Sequence, residues 1–408
     1  MSKIRYGIPH WLAQFHQKRR PTYPSHRGHI ETDVVVVGGG FTGCATAYAF
    51  AEAGIRVALF ESNQIGQGST GASTAMLMQE PDVEFQELMR RYGLRVARKV
   101  WQMTRRATLD LVMTLRRLNI KCQLEEEDSI YFASDPEAGR RLRREYEARH
   151  SAGLQTSWMT GERLYQATNL EGYGALRTRR NAQVDPYRMS LGFAEAAVER
   201  GALIYECSGV RGLRFGPKGV DVKTGIGTVR ANSVVIATGC LIPTFKSLVR
   251  HFRIMNTYAV ITPPLPAKMR AQLGDRDAML WDSQQPYHYL RWTRDNRILF
   301  GGADQLKTPL RQRDKILVQR TGQLMYELST MYPVISGILP EYGWDGLVMN
   351  TLDGLPFIGP HRNFPRHLFA LGYGGNGLTL GFLASRILVR NYLGESASED
   401  ELFGFTRS

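Results

Sequence analysis

Three glycines near the start of the chain have the spacing of a phosphate-binding turn. They form the pattern Gly38-x-Gly40-x-x-Gly43, which directly follows the apolar run at residues 34–37. The first glycine permits a tight turn, the second lets the backbone approach a pyrophosphate, and the third lets a helix pack closely on the preceding strand. The N-terminus of that helix would offer free N–H groups and a partial positive charge to phosphates. The pattern therefore predicts a dinucleotide site.

Glu61 stands where the ribose of such a dinucleotide is expected. It ends a second apolar run, about twenty residues after the glycines. A carboxylate at this place accepts hydrogen bonds from ribose hydroxyls and would repel the 2′-phosphate of NADP. Strand, turn, helix, second strand and acid occur in order, which makes the motif more specific than its glycines alone.

Further glycine-rich segments indicate an extended ligand. The chain after Glu61 reads SNQIGQGSTGASTAMLM, SVVIATG lies at 233–239, and DGLPFIGP and LGYGGNGLTLG lie at 353–360 and 371–381. Separate glycine-rich strand ends around one sheet suit a long dinucleotide, which favours a flavin over a nicotinamide cofactor.

Taken together, these segments resemble the D-amino-acid oxidase superfamily, which includes glycine oxidase, monomeric sarcosine oxidase and gamma-glutamylputrescine oxidase. The resemblance covers about residues 23–393, and GASTAML, VVIATG, DGLPFIG and GYGGNGLT are its more selective parts. It implies an FAD cofactor. The residues that motif and resemblance together assign to FAD are Gly38, Gly40, Phe41, Thr42, Gly43, Glu61, Ser62, Ser69, Thr70, Gly71, Ser73, Thr74, Ala75, Met76, Val210, Ala237, Thr238, Gly239, Gly374, Gly375, Asn376, Gly377, Leu378 and Thr379.

Two departures from the family pattern concern FAD attachment and the electron acceptor. Several members hold FAD covalently through a cysteine just before DGLPFIG, but residues 340–353 contain none, so FAD is expected to be non-covalent. The sarcosine-oxidising branch has an oxygen-activating lysine where this chain has Leu299. Both O2 and another electron acceptor therefore stay open. The four cysteines lack metal-ligand spacing, and no metal is expected.

The segment YHYLRW at 287–292 supplies candidate substrate residues. In a strand, Tyr287, Tyr289 and Arg291 share one face, and His288 lies on the other. If the odd positions face the flavin, Tyr289 and Arg291 contact the substrate, and Arg291 could bind a carboxylate. Alternatively, the tyrosines are half-buried sheet residues and Arg291 forms an ion pair. His288 is expected to be structural.

The loop before the last helix adds Asn376 to the candidate catalytic residues, which are then Tyr289, Arg291 and Asn376. Glycine oxidase-like members have a carboxylate-binding arginine one residue before this Asn-Gly, and here Gly375 takes its place. The missing side chain predicts extra space and a bulkier amine substrate.

The order of the elements predicts an α/β protein with two lobes. One lobe is a Rossmann-type, doubly wound FAD-binding domain with the βαβ dinucleotide unit, and the other is an α+β substrate domain with a largely antiparallel sheet. The predicted ranges are an extended N-terminal arm at 1–27, an FAD-binding domain at 28–84, 186–245 and 346–395, a substrate domain at 85–185 and 246–345, and a tail at 396–408.

Composition is that of an ordinary globular protein. The 408 residues are 43% hydrophobic, no apolar run is long enough to span a bilayer, and the scattered cysteines suit a cytoplasmic location. The net charge of +14 is concentrated in basic runs at 85–118 and 140–149. The favoured interpretation is a solvated helix surface, with nucleic acid or an anionic membrane as alternatives. The oligomeric state is not determined by the sequence.

The leading functional hypothesis is an FAD-dependent oxidase or dehydrogenase. It would oxidise a C–N bond of an amine or N-substituted amino acid to an imine and reduce FAD. One alternative is a flavin-binding assembly or interaction protein without turnover. Another is an FAD-dependent enzyme that acts on a modified base of transfer RNA, which the positive charge would favour.

Overall fold

The computed structural model describes residues 4–216, 218–274 and 277–407. Its α-helices are α1 His10–Gln14, α2 Phe41–Glu52, α3 Ser69–Ala72, α4 Phe85–Arg117, α5 Pro136–Ser151, α6 Gly161–Thr168, α7 Pro186–Val198, α8 Ala267–Arg270, α9 Arg313–Met331 and α10 Gly377–Leu393. Its strands are β1 Arg5–Tyr6, β2 Gly28–Val37, β3 Val57–Phe60, β4 Met76–Leu77, β5 Glu125–Phe132, β6 Ser157–Met159, β7 Ala175–Gln183, β8 Leu203–Tyr205, β9 Gly212–Gly216, β10 Gly219–Lys223, β11 Gly227–Ile236, β12 Phe252–Ile261, β13 Ala278–Asp282, β14 Tyr289–Trp292, β15 Ile298–Leu306, β16 Tyr342–Thr351, β17 Phe357–His361 and β18 Phe364–Leu371.

The first sheet, here called the dinucleotide sheet, contains the predicted βαβ unit. Its strand order is β17-β18-β11-β2-β3-β8, in which every neighbouring pair is parallel except β17 and β18. The apolar runs of β2 and β3 are buried because a parallel sheet is covered on both faces. Helices α2, α7 and α10 pack on one face, and β9, β10 and the 3₁₀ segment Pro243–His251 cover the other.

The second sheet, here called the large sheet, is mostly antiparallel. Its order is β1-β16-β12-β15-β14-β13-β5-β7-β4, with β6 beside β7, and only the pairs β1/β16 and β13/β5 are parallel. Helix α9 packs against β12, β15 and β16 on one face. The other face turns toward the dinucleotide sheet. This architecture confirms the predicted fold class.

Successive groups of strands along the chain belong in turn to the large sheet and to the dinucleotide sheet. Strands β4 and β16 belong to the large sheet, although residues 76–77 and 346–351 fall in ranges predicted for the FAD-binding domain. Helix α4 lies in a range predicted for the substrate domain, but it packs against α10 and is interrupted at Gly93, where φ is 81°. The division into domain ranges stays a prediction.

The first and last described segments of the chain are packed onto the fold. The prediction of an extended arm was wrong for residues 10–14, which form α1 because Trp11 is buried there and its indole N–H donates to the Ser73 carbonyl oxygen at 2.8 Å. Strand β1 adds to the edge of the large sheet beside β16. In the predicted tail, the Arg407 guanidinium donates to the Asp353 carboxylate at 2.7 Å.

The basic run at 85–118 is largely paired with acids. Six of its nine basic side chains form ion pairs, which are Arg90 and Arg91 with Glu87, Lys99 with Glu399, Arg106 with Asp110, Arg116 with Glu126, and Arg117 with Glu52. This pairing favours a solvated helix surface, while a nucleic-acid or membrane partner stays an untested alternative. Within the described ranges, no helix is both long enough and apolar enough to cross a bilayer.

Candidate functional site

A cavity of about 610 Å³ lies between the two sheets. It begins at the carboxyl ends of β2, β3 and β11, which is where ligands bind in open parallel sheets. From there it passes the N-terminal ends of α2 and α10 and reaches the inner face of β12, β14 and β15. One continuous space therefore joins the glycine turn to the large sheet.

The three motif glycines have different structural requirements. Gly38 has φ of 108°, and a Cβ atom there would lie 2.5 Å from the Ala237 carbonyl oxygen. At Gly43 a Cβ would lie 1.8 Å from the Gly38 carbonyl oxygen, so only glycine lets α2 pack against the turn. Gly40 is the N-cap of α2 and lines the cavity, where it leaves room for a ligand phosphate beside the helix N-terminus.

The Glu61 carboxylate is fixed in the cavity wall at the end of β3. Its Oε2 accepts from the Gly39 N–H at 2.7 Å, and its Oε1 accepts from the Asn63 N–H at 2.7 Å and the Ser62 hydroxyl at 3.0 Å. Each oxygen keeps further acceptor capacity, which suits ribose hydroxyls.

Asn376, directly before α10, lies at the opposite end of the cofactor portion. Its side-chain N–H₂ group donates to the carbonyl oxygens of Met78 and Glu80 at 2.9 and 2.7 Å. This leaves its Oδ1 buried without a partner in the cavity wall. A ring N–H of a bound flavin would satisfy such an acceptor, so the residues present fit FAD.

Most residues assigned to FAD line the cavity. They are Gly38, Gly40, Phe41, Thr42, Glu61, Ser62, Ser69, Thr70, Ser73, Thr74, Met76, Val210, Ala237, Thr238, Gly239, Gly374, Gly375, Asn376, Gly377 and Leu378. The structure does not bring Gly43, Gly71, Ala75 or Thr379 to its surface. A Cβ on Gly71 would lie 2.8 Å from the Gly66 carbonyl oxygen, and the Thr379 hydroxyl lies 3.2 Å from that of Thr108, so both pack behind the wall.

Aromatic side chains of the large sheet form the other wall. Trp281, Tyr287 and Tyr289 line the cavity, and the Tyr289 hydroxyl lies 2.8 Å from that of Thr257. The Tyr289 ring lies across Gly301 on the neighbouring strand, where a Cβ would approach the ring to 2.1 Å. Burial raises the pKa of the Tyr289 phenol, which therefore stays protonated.

Two aspartates in the cavity were missed by the sequence analysis. Asp82 Oδ2 accepts from the Gly375 N–H at 2.7 Å, and its Oδ1 lies 3.5 Å from the Tyr287 hydroxyl. Burial, with a smaller contribution from the charge of Asp304, raises the pKa of Asp82 to about 6. Burial also raises the pKa of Asp304, whose Oδ1 is buried without a partner.

The sequence contained a weak signal for only one of these acids. Asp82 follows the glycine-rich loop predicted to surround the cofactor, so its neighbourhood could have been inferred. Asp304 could not be placed by strand alternation, because Gly302 and Ala303 have φ of 146° and 54° and interrupt the regular strand.

Arg291 does not line the cavity, although it follows Tyr289 on the same face of β14. Its Nη1 donates to the carbonyl oxygens of Ala75 and Val184 at 2.9 and 3.0 Å, and its guanidinium lies 5.0 Å from the Trp11 ring centre. Burial lowers the pKa of Arg291 to about 10, so it remains charged at neutral pH. The structure gives this side chain contacts to the fold and none to the cavity.

His288 lies on the opposite side of the large sheet from the cavity aromatics. Its Nδ1 is 2.7 Å from Asp282 Oδ2, and its Nε2 is 3.0 Å from Glu327 Oε2 on α9. The two carboxylates raise its pKa despite burial, and both of its ring nitrogens are held by these structural contacts.

The expectation of extra space at Gly375 was wrong. A Cβ atom there would lie 2.7 Å from the Tyr287 hydroxyl oxygen and 3.1 Å from Asp82 Oδ1. A side chain at position 375 would therefore have to displace the Tyr287 hydroxyl. Leu299, predicted to stand at the lysine position of relatives, is fully buried and does not line the cavity.

The cavity wall is acidic. Among the described residues that line it there is no lysine, arginine or histidine, whereas four acids do so, namely Glu61, Glu80, Asp82 and Asp304. Cys240 is the one cysteine of the described chain in the wall, beside Gly239 at the cofactor end. Burial raises the pKa of its thiol, which disfavours the reactive thiolate and leaves the expectation of non-covalent FAD in place.

Comparisons with known proteins agree with this geometry. A probable oxidoreductase of Haemophilus influenzae is 26% identical over 371 residues, covering 89% of this chain and 83% of the relative. Gamma-glutamylputrescine oxidoreductase of Escherichia coli is 25% identical over 374 residues, covering 91% and 86%. The crystal structure of glycine oxidase from Geobacillus kaustophilus has the same fold, with a TM-score of 0.75, 24% identity, and coverage of 93% of this chain and 99% of that one.

A family model also matches most of the chain. Residues 33–391 match the model described as FAD dependent oxidoreductase, a range that contains every residue lining the cavity and all strands of the two sheets except β1 and the start of β2. The resemblance inferred from the glycine-rich segments is thereby confirmed. The chain belongs to the family of FAD-dependent oxidoreductases, and FAD is its cofactor.

Proposed function

We propose that this enzyme oxidises a C–N bond of an amine to an imine. The observation that carries the proposal is the continuity of the cavity, which connects the FAD residues to a chamber lined by Tyr287, Tyr289, Asp82 and Asp304. Carboxylates and protonated phenols are groups that bind amines through hydrogen bonds and charge. Relatives named for the oxidation of an amine or an amino acid, gamma-glutamylputrescine oxidoreductase and glycine oxidase, support the same reaction class.

The reaction balances with one two-electron acceptor and one water molecule. When bound, FAD would supply the two-electron oxidant for the C–H bond next to nitrogen. Loss of that hydride and release of the proton on nitrogen to water leave a C=N bond. Water then adds to the imine and yields a carbonyl compound and the freed amine. O2 and another electron carrier are the two alternatives for reoxidising the cofactor.

The residues of this chain position the substrate beside the cofactor. The hydrogen bond with Thr257 fixes the Tyr289 hydroxyl, which stays protonated. Gly375 and Tyr287 fix Asp82, so that its carboxylate faces the chamber beside the N-terminal end of α10. The cofactor would supply the two-electron oxidation, while the protein orients the substrate and sets the electrostatic environment.

Anaerobic mixing of the holoprotein with a panel of primary and secondary amines tests the proposal. Bleaching of the flavin absorption by at least one amine, with recovery of the carbonyl product, is the expected result. A chemical reductant is the control that the bound flavin can be reduced. A flavin that dithionite bleaches but that no amine bleaches would overturn the proposed function.

A further inference from the structure

We infer that the substrate is a linear diamine or polyamine, with Asp82 and Asp304 holding a second ammonium group away from the nitrogen that is oxidised. The inference rests on the proposed function and specifies its substrate class. It replaces the expectation that Arg291 binds a substrate carboxylate, because that side chain is committed to the carbonyl oxygens of Ala75 and Val184.

The charge of the wall argues against an amino-acid substrate. A carboxylate in this chamber would leave water without meeting any cationic side chain of the described residues. It would also approach Asp82 and Asp304, and burying an unpaired charge beside like charges is costly. A cationic ligand, in contrast, finds opposite charges that pair with it when it leaves water, and Asp82 and Asp304 attract it.

Two acids of the cavity wall have buried oxygens that lack a partner. Asp304 Oδ1 is one, and Glu80 Oε2 is the other, on a residue that is only 3% exposed. Buried polar atoms in folded proteins are normally hydrogen-bonded, and exceptions are common at ligand sites. Glu80 lies two residues before Asp82 on the same loop, and Asn376 holds that loop by donating to the Glu80 carbonyl oxygen.

The aromatic residues suit the carbon chain and the charge of an amine. Trp281, Tyr287 and Tyr289 present ring surfaces to the same chamber as the aspartates. Burial and the nearby carboxylates raise the pKa of both tyrosines, which keeps the rings neutral. Neutral aromatic faces attract ammonium groups and pack against methylene groups.

The chemistry of the reaction indicates that the substrate carries a second nitrogen. The nitrogen whose C–H neighbour gives up a hydride must be neutral, because its lone pair forms the C=N bond. A nitrogen held against two carboxylates is instead stabilised in its charged form. The aspartates therefore hold a different nitrogen from the one that reacts, and the substrate carries at least two.

Three substrates of similar length provide the kinetic test. Putrescine, pentylamine and gamma-aminobutyrate differ in carrying a distal ammonium, a methyl group or a carboxylate. Anaerobic flavin reduction should favour putrescine over pentylamine by at least about tenfold, the effect of one charged hydrogen bond, and gamma-aminobutyrate should react slowest. In Asp304→Asn the preference for putrescine over pentylamine should fall toward one.

Binding of a ligand that cannot be oxidised provides a readout independent of turnover. Hexamethonium carries two quaternary nitrogens without lone pairs, and calorimetry on the oxidised holoprotein measures its affinity. Asp304→Asn should weaken that affinity at least about tenfold, whereas the matched control Asp314→Asn, on the exposed first turn of α9, should not. FAD content and melting temperature establish that each variant is folded.

The outcomes separate the inference from the proposed function. Equal reduction by gamma-aminobutyrate and putrescine, or equal hexamethonium affinity in Asp304→Asn and the parent protein, overturns the diamine inference and leaves amine oxidation standing. A third outcome is that hexamethonium binding depends on Asp304 but no amine bleaches the flavin. This result would support the binding of a cationic ligand by Asp304 and would overturn the proposed function.

Discussion

Replacement of Arg291 by leucine should destabilise the fold without changing the choice of substrate. The side chain is 4% exposed, and its guanidinium donates to two main-chain carbonyl oxygens behind the cavity wall. The Ala75 carbonyl oxygen also accepts from the Val184 N–H at 3.2 Å and keeps that bond in the variant. The Val184 carbonyl oxygen loses the donor that Arg291 supplies.

The expected loss of stability follows from these bonds. An unsatisfied buried carbonyl group costs about 1–3 kcal/mol, and relief from burying a charged guanidinium offsets part of it. A net loss of about 1–2 kcal/mol is therefore expected. With an unfolding entropy of about 2.1 cal/mol/K per residue, a chain of 408 residues should melt roughly 1–3 °C lower.

The assay combines melting of the holoprotein with anaerobic flavin reduction by one neutral-chain amine and one carboxylate-bearing amine. The ratio of the two reduction rates should be the same in Arg291→Leu and the parent protein. Arg311→Leu, on an exposed 3₁₀ turn, controls for the loss of one positive charge. An unchanged melting temperature together with a selective loss of rate for the carboxylate-bearing amine would refute this reasoning and return Arg291 to the substrate site.

Three further predictions concern the cofactor and the acids. Gly43→Ala should lose FAD on dialysis, because its Cβ would lie 1.8 Å from the Gly38 carbonyl oxygen. The control Gly322→Ala, whose Cβ meets open space on α9, should retain FAD as the parent protein does. Equal flavin content in the two variants would contradict the packing argument. Acid precipitation should release the flavin into the supernatant, and flavin remaining in the pellet would show a covalent bond. The ratio of the second-order rates of flavin reduction by putrescine and by pentylamine should fall as the pH drops through about 6, because Asp82, which faces Tyr287, Asp304 and the Gly375 N–H, loses its charge there. The ratio removes the protonation of the reacting nitrogen, which both amines share, and a ratio that is flat from pH 5 to 7 would exclude that role.

The cofactor half of the site could be predicted because its residue types are set by packing and spacing within a short stretch of sequence. Gly43 must lack a side chain where the helix crosses the turn, and Glu61 must follow the second strand of the same βαβ unit. Both requirements act within a short stretch of chain, so spacing alone reveals them. The long parallel and antiparallel sheets likewise follow from apolar runs and turns that the sequence displays.

The substrate half depends on contacts between distant segments. Asp82 reaches Gly375 across 293 residues of sequence, and no spacing rule connects them. The alternation of side chains along a strand placed Tyr289 and Arg291 on one face of β14, but this pattern could not show that the cavity ends between the two residues. That boundary is set by α1 and the chain at Ala75, which cover the guanidinium.

The missing side chain of Gly301 has a consequence for how the enzyme can evolve. Tyr289 lies flat against β15 only because position 301 carries a hydrogen atom, so any larger residue there must push the ring into the chamber. In the proposed chamber, the length of amine that fits is thus controlled from one backbone position, whereas its charge is controlled by two other residues, Asp82 and Asp304, the second of which lies three residues along the same strand. A single codon change at 301 can narrow the range of accepted substrates while leaving their required charge intact, so selection can adjust the two properties one at a time.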